Sequence, residues 1–212
     1  LLNIEIKNIK KAKKYFEKII IQYSDQIDPY INLGNINIIE KDYKKAIQYF
    51  LKAYKISPQK IDIINNLSFL YKQIEEYTNA LKFIEIGLRV NSNNYFLLYI
   101  LGMIYIAQDK INEAINSLIK SINLEPNYFY SHLNLLNILE KNNQIKKLKS
   151  YITKAKKIFK DKPELTLIEA SYYNRIKNFE TSNDILLQNN LNKIFHHYIE
   201  KKIRYYDLLG KN

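Results

Sequence analysis

Residues 30–58 read YINLGNINIIEKDYKKAIQYFLKAYKISP. An aromatic residue, Tyr30, leads to Leu33 and Gly34. Ala46, Phe50 and Ala53 follow, and Pro58 closes the stretch. Stepping by 34 residues returns the same kinds of side chain. Gly34 becomes Ser68, Gly102, Leu136 and Ala170; Ala46 becomes Ala80, Ala114, Leu148 and Ser182; Ala53 becomes Gly87, Ser121, Ala155 and Asn189. Leu33 becomes Leu67, Leu101, Leu135 and Glu169, and Phe50 becomes Ile84, Leu118, Ile152 and Leu186. Tyr43 becomes Tyr77, Ile111, Ile145 and Phe179, and Pro58 returns as Pro126. No insertion interrupts the register, so five units follow: 27–60, 61–94, 95–128, 129–162 and 163–196.

Each unit reads as two antiparallel helices joined by a short turn. Small residues on both helices let the backbones approach, and large ones such as Leu33 and Phe50 are expected to fill the space between neighbouring units. One unit cannot bury its apolar face alone, so stacking must supply a continuous core. In the first three units every small-residue position holds Gly, Ala or Ser. Leu136, Leu148 and Glu169 break the pattern in the last two, where looser or rearranged helix contacts are expected.

This pattern resembles the tetratricopeptide repeat, with one departure: Asn37 stands where an aromatic residue is expected three positions after Gly34. The resemblance implies an all-α fold, a right-handed superhelical solenoid of stacked antiparallel helix hairpins over residues 1–212. Residues 1–26 fit the register as the second helix of an earlier unit, Ala12 and Phe16 falling where Ala46 and Phe50 fall. Residues 191–212 carry an apolar stripe (Leu191, Ile194, Phe195, Tyr198, Ile199, Tyr206, Leu209) that Gly210 ends, and are expected to form a capping helix. The alternative is a connector to further sequence, since the chain opens on Leu1 and reads as a piece of something longer.

The resemblance also implies where a ligand lies. First helices of successive units line a concave groove, here through residues two, five, six, nine and twelve of each unit. Asn32, Asn66 and Asn134 share one of these positions, interrupted by Ile100. In some peptide-binding relatives such a row forms an asparagine ladder, in which each amide can donate to and accept from an extended backbone. Asn35 and Asn137 share a second position, with Phe69 and Met103 between them. Phe96, Tyr99 and Met103, with Phe69 and Tyr130, form a candidate apolar anchor region. The expected groove thus comprises Asn32, Asn35, Asn66, Phe69, Phe96, Tyr99, Met103, Tyr130, Asn134 and Asn137. Relatives that grip a chaperone's terminal carboxylate use a clamp of Lys and Asn residues; its first lysine position holds Ile31 here and the equivalent position of the next unit holds Asn65, which disfavours that ligand.

Composition narrows the classes. With 212 residues, 47% of them hydrophobic, and only 4 Gly and 4 Pro, the chain is long enough for a sizeable core and short of long loops. It has no cysteine, which excludes disulfides, thiolate catalysis and Cys-ligated zinc. No apolar run reaches the roughly 18 residues that cross a bilayer, no secretory leader is visible, and a cytoplasmic location is expected. Net charge is +12, carried almost wholly by lysine. Lys, Asn, Ile and Tyr share AT-rich codons, which accounts for much of this balance; a nucleic-acid footprint is the minority reading. Lys146, Lys147, Lys149, Lys154, Lys156 and Lys157, extended by Lys160 and Lys162, make one helix strongly basic. A solvated face is its expected role, with contact to phosphate, an anionic membrane or an acidic partner as the alternative.

No phosphate loop, metalloprotease helix or nucleophile elbow occurs. His132 takes a position held elsewhere by Tyr30, Ile64 and Leu98, which suits half-buried packing. His196 and His197 are adjacent and make a poor metal pair. The reading is a non-catalytic protein–protein interaction scaffold, with no cofactor, no metal and another protein or peptide as its partner. Alternatives are the substrate-selecting part of a larger sulfotransferase or glycosyltransferase, an RNA-binding helical repeat related in plan to pentatricopeptide proteins, and a self-associating scaffold.

Overall fold

A computed structural model describes residues 2–189 and Leu191, with side chains from residue 8 onward. The expected capping helix over 191–212, with His196 and His197, lies outside the described residues except for Leu191, which is buried.

Among the described residues the chain is all helix. A leading helix α1 (Leu2–Gln22) precedes five pairs: α2 (Ile27–Ile39) with α3 (Tyr43–Ile56), α4 (Ile61–Gln73) with α5 (Tyr77–Val90), α6 (Tyr95–Ala107) with α7 (Ile111–Leu124), α8 (Phe129–Lys141) with α9 (Ile145–Ile158), and α10 (Pro163–Arg175) with α11 (Phe179–Gln188). First helices therefore start at 27, 61, 95, 129 and 163, and second helices at 43, 77, 111, 145 and 179.

The turn inside each pair is one motif built five times. Lys41, Glu75, Asp109, Asn143 and Lys177 adopt left-handed backbone, with φ of 60°, 62°, 56°, 53° and 61°. The following amide reaches back to close the helix: Asp42 N to Asn37 O, Glu76 N to Tyr71 O, Lys110 N to Tyr105 O, Gln144 N to Leu139 O, and Asn178 N to Tyr173 O, each at 2.9 Å. The left-handed residue's own amide bonds three residues back, as Lys41 N to Ile38 O at 2.9 Å and Glu75 N to Lys72 O at 3.1 Å. This is the Schellman closure, which satisfies carbonyls that a helix end leaves open. Glycine is its usual occupant, yet none of the five is glycine. Asp42 and Asn178 then cap the next helix, accepting from Lys45 N at 3.1 Å and Thr181 N at 3.2 Å.

The chain divides into two compact units, Leu1–Ile104 and Tyr105–Asn212. The core of the first is built on Ala46, Phe50, Ala53, Ile63, Ile64, Leu67, Leu70 and Phe83, continued by Ala80, Ile84, Leu97, Ile100 and Ile104. Size complementarity sets its helix spacing. A Cβ added to Gly34 would lie 2.5 Å from Phe50 Cε2, and one added to Gly87 would lie 2.3 Å from Leu97 Cδ1. Phe50 thus lies across the glycine of its own hairpin. The sequence pattern suggested that it fills space between units; it shares a buried cluster with Ile63, Ile64 and Leu67 of the next hairpin, and the missing Cβ of Gly34 opens the recess in which its ring sits.

Asn37 is fully buried. Its Nδ2 donates to Leu33 O at 2.7 Å, and its Oδ1 has no hydrogen-bond partner. In the next hairpin the same position holds Tyr71, whose ring stacks on Phe83 at 5.7 Å.

In the second unit Leu135, Leu136, Leu139, Leu148, Ile152, Leu165 and Ile168 are buried, and Leu167, Ala170, Leu186 and Leu191 form a cluster. Leu136 and Leu148, large where the first three units are small, are both core residues. Glu169, charged where leucine is expected, bonds the Lys156 ammonium. Glu140 is buried and accepts from the Ser171 hydroxyl, with Arg175 Nε 3.8 Å from Oε1.

Candidate functional site

In the first unit four of the expected groove residues, Asn35, Asn66, Phe69 and Phe96, fall together. Asn35, Ile38 and Ile39 of α2, Asn66 and Phe69 of α4, and Phe96 of α6 line an open cleft of about 480 Å³. Its floor is aromatic: Phe69 and Phe96 have ring centroids 6.4 Å apart, and Phe96 and Tyr99 6.1 Å. All three rings are half-buried, packed from below on the Ile100 and Leu97 core. Each ring is thus pinned on one side by the core beneath it. Met103, also half-buried, lies one turn beyond Tyr99 on α6.

The asparagines share one hydrogen-bond habit. Asn32 Nδ2 donates to Asp28 O at 2.9 Å, Asn66 Nδ2 to Asp62 O at 2.8 Å, and, within the second unit, Asn134 Nδ2 to Tyr130 O at 2.9 Å. One amide hydrogen is thus tied to the carbonyl one turn back, which fixes the side chain and leaves its Oδ1 and second N–H for another group. Ile100, at this position of α6, is 1% exposed. There the row turns from amide to core, and aromatic surface takes over on either side of it.

In the second unit Tyr130 is 56% exposed, and Asn134 and Asn137 are half-buried. Tyr130 packs its ring edge on Phe129 at 6.0 Å.

Two lining residues escaped the sequence reading by name. Ile38 sits at position twelve, which the groove rule covers; Ile39 sits one residue further on and is 64% exposed. Lys72 holds position twelve in α4, and burial pushes its ammonium below the usual lysine range, opposed by Glu75. Asn65 is committed elsewhere: its Oδ1 accepts from Asn94 Nδ2 at 2.8 Å, while Asn94 Oδ1 caps α6 by accepting from Phe96 N and Leu97 N, both at 3.1 Å. His132 is more buried than expected, at 3% exposure, with Nε2 2.9 Å from Pro126 O and its ring edge-on to Phe159.

Among the described residues no group of three or more His, Cys, Asp or Glu side chains is placed to hold a metal, and no helix is long and apolar enough to cross a membrane.

Paired helices on a 34-residue period, closed by one repeated turn, define a helical-repeat protein of the tetratricopeptide type. Solved structures share the fold. The tetratricopeptide protein YrrB, described as having an unusual peptide-binding site, matches at 18% identity over 88% of this chain and 97% of its own, with a TM-score of 0.63. The type IV pilus biogenesis factor PilW matches at 16% identity over 91% and 89%, with a TM-score of 0.76. A chain of the APC/C hetero-tetramer Cut9–Hcn1 matches at 15% identity over 93% of this chain and 40% of that one, with a TM-score of 0.69. No curated protein matches in sequence. The model of the family described as anaphase promoting complex subunit 8 / Cdc23 matches residues 40–198, and the chain belongs to that family.

Proposed function

We propose that this protein is a non-catalytic interaction scaffold whose first unit holds an extended segment of a partner protein across α2, α4 and α6. The carrying observation is the cleft itself: Phe69 and Phe96 offer an apolar floor, while Asn66, held by its own helix, presents unused amide groups at the same place. An extended peptide needs both, since its backbone N–H and C=O groups must be satisfied while alternate side chains find apolar cover. Asn32 and Asn35 of α2 continue the polar row of this unit, and Tyr99 and Met103 of α6 the apolar one. Asn134, Asn137 and Tyr130 make a corresponding set within the second unit. The family's description and the APC/C and YrrB likenesses support a role in assembly or peptide capture.

Peptides selected against the purified protein from a random display library provide the test, with affinity read by fluorescence anisotropy. Asn66→Ala and Tyr99→Ala should each weaken the selected peptides about tenfold, the loss typical of a contributing interface side chain, with the far-ultraviolet circular dichroism unchanged. Equal affinity in both folded variants refutes the site.

A further inference from the structure

The second unit carries a charged surface that peptide capture on first helices does not use. From Lys141 to Lys160 the sequence contains eight lysines and no carboxylate, against a net charge of +12 for the whole chain. On α9 the apolar residues Leu148, Ile152 and Ala155 are buried against the rest of the unit. Lys146, Lys147, Lys149, Lys154 and Lys157 are exposed on the remaining surface, with Lys160 just beyond the helix. Lys156 is the exception: half-buried, it pairs with Glu169 of α10. Lys154 lies over its neighbour Tyr151, 5.1 Å from the ring centroid. Among the described residues the other five have no carboxylate within salt-bridge reach. Glu140, the nearest acid before them in sequence, is buried against Ser171 and Arg175.

Like charges three residues apart on a helix, as in Lys146 with Lys149 and Lys154 with Lys157, repel one another. An anion laid along them relieves that repulsion. The residues between the lysines, Ser150 and Thr153, are small and exposed, so an incoming chain can approach the ammonium groups closely.

The chemistry of the face selects among anions. A membrane-surface helix needs a large apolar face free for the bilayer, and that of α9 is already buried. RNA recognition draws on stacking rings and planar arginine forks. This segment has no arginine, and its one ring on α9, Tyr151, is half-buried beside Lys154. A row of flexible point charges with no geometric demand suits carboxylates presented along a polypeptide. We propose that the exposed face of α9 is a second docking surface, and that its occupant is an acidic, extended protein segment rich in Asp or Glu. The distance from Lys146 to Lys157 is about 16 Å along the helix, which about five or six residues of extended chain would span.

The test uses a fluorescein-labelled peptide of about six consecutive glutamates in a Gly/Ser frame, titrated with the full chain. Saturable binding is expected at about 0.05 M salt, fading steeply by about 0.3 M as the Debye length shrinks. Replacing Lys146, Lys149 and Lys157 together by glutamine should weaken it about tenfold, the effect of losing three exposed ion pairs. Replacing Lys44, Lys45 and Lys52 of α3 by glutamine changes net charge equally and should leave affinity within about twofold. Amide chemical-shift changes on peptide binding should fall on residues 145–160. The proposal is overturned by absent binding at low salt, by equal loss in the α3 variant, by shifts elsewhere, or by single-stranded RNA or phosphatidylserine vesicles binding α9 more tightly than the peptide.

Discussion

Replacing Gly34 by alanine tests the packing rule on which the first unit is built. In a helix interior the change gains about 1 kcal/mol of intrinsic propensity, so a site with room would be stabilised. There is no room here. The added methyl would sit 2.5, 2.8 and 2.9 Å from Cε2, Cδ2 and Cζ of Phe50, against an optimum carbon separation of about 3.5–4.0 Å. Three ring atoms are thus overlapped by about 1 Å, and Phe50 is fully buried among Ala46, Ala53 and Ile63. Such overpacking costs about 1–3 kcal/mol. With the methyl three-fold in contact with an immobile ring, the upper part of that range applies, leaving a net loss of about 1–2 kcal/mol after the propensity gain. For a chain of this size that lowers Tm by about 2–8 °C. The second unit supplies the compensating change, because there the equivalent pair is Ala170 with Leu186, both buried. Phe50→Leu alone should destabilise by leaving a void, while Gly34→Ala with Phe50→Leu should lose at least about 1 kcal/mol less than the two single losses added together. Urea denaturation of the four proteins measures this cycle. A stabilised Gly34→Ala, or strict additivity, would show that the ring and the glycine do not set the helix spacing.

Two further outcomes follow from the repeated turn and the buried imidazole. Glu75 holds left-handed backbone at φ 62°, so Glu75→Gly should stabilise by about 0.5–1 kcal/mol in chemical denaturation, with Glu75→Val, whose branched side chain fits that region worst, falling below wild type. Burial lowers the His132 pKa, partly opposed by the bond to the Pro126 carbonyl, so the neutral ring is favoured in the folded state. The unfolded chain then takes up the proton first: the stabilisation is complete above about pH 6.5, the unfolded value, and is lost as pH falls from there through the folded pKa. His132→Gln should flatten that part of a stability profile, and an unchanged slope would show that the ring is protonated with equal ease in both states.

The fold was legible because a helix pair of fixed length repeats its packing demands at a fixed interval. Gly34, Ala46 and Ala53 mark the close approaches, and their counterparts fall in register without a gap. Other features left little compositional trace. The five left-handed turn residues are lysine, glutamate, aspartate, asparagine and lysine; only Asp109 and Asn143 are types that favour such backbone, and the other three are marked by shared phase alone. Asn37 was visible as a departure from the pattern, but its buried, half-satisfied amide depends on the hairpin around it. Ile39 was missed because an isoleucine after Ile36 and Ile38 reads as more core, whereas a helix ending at that residue leaves it 64% exposed at the cleft.

The asparagine row shows what a period does and does not specify. Asn32, Asn66 and Asn134 each bond the carbonyl four residues back, because equal positions on equal helices present equal backbone neighbours. Sequence phase alone therefore accounts for that shared hydrogen bond. Ile100 occupies the same phase and is core, so phase does not by itself make a position available to a ligand. What decides is the bulk beside it: with Phe96 and Tyr99 flanking Ile100 on α6, the surface there is carried by rings, and the amide row of α2 and α4 gives way to an aromatic one. A peptide lying along this unit would meet polar contacts first and apolar anchors after. Asn66→Ala and Tyr99→Ala should accordingly affect different parts of one ligand and not substitute for each other.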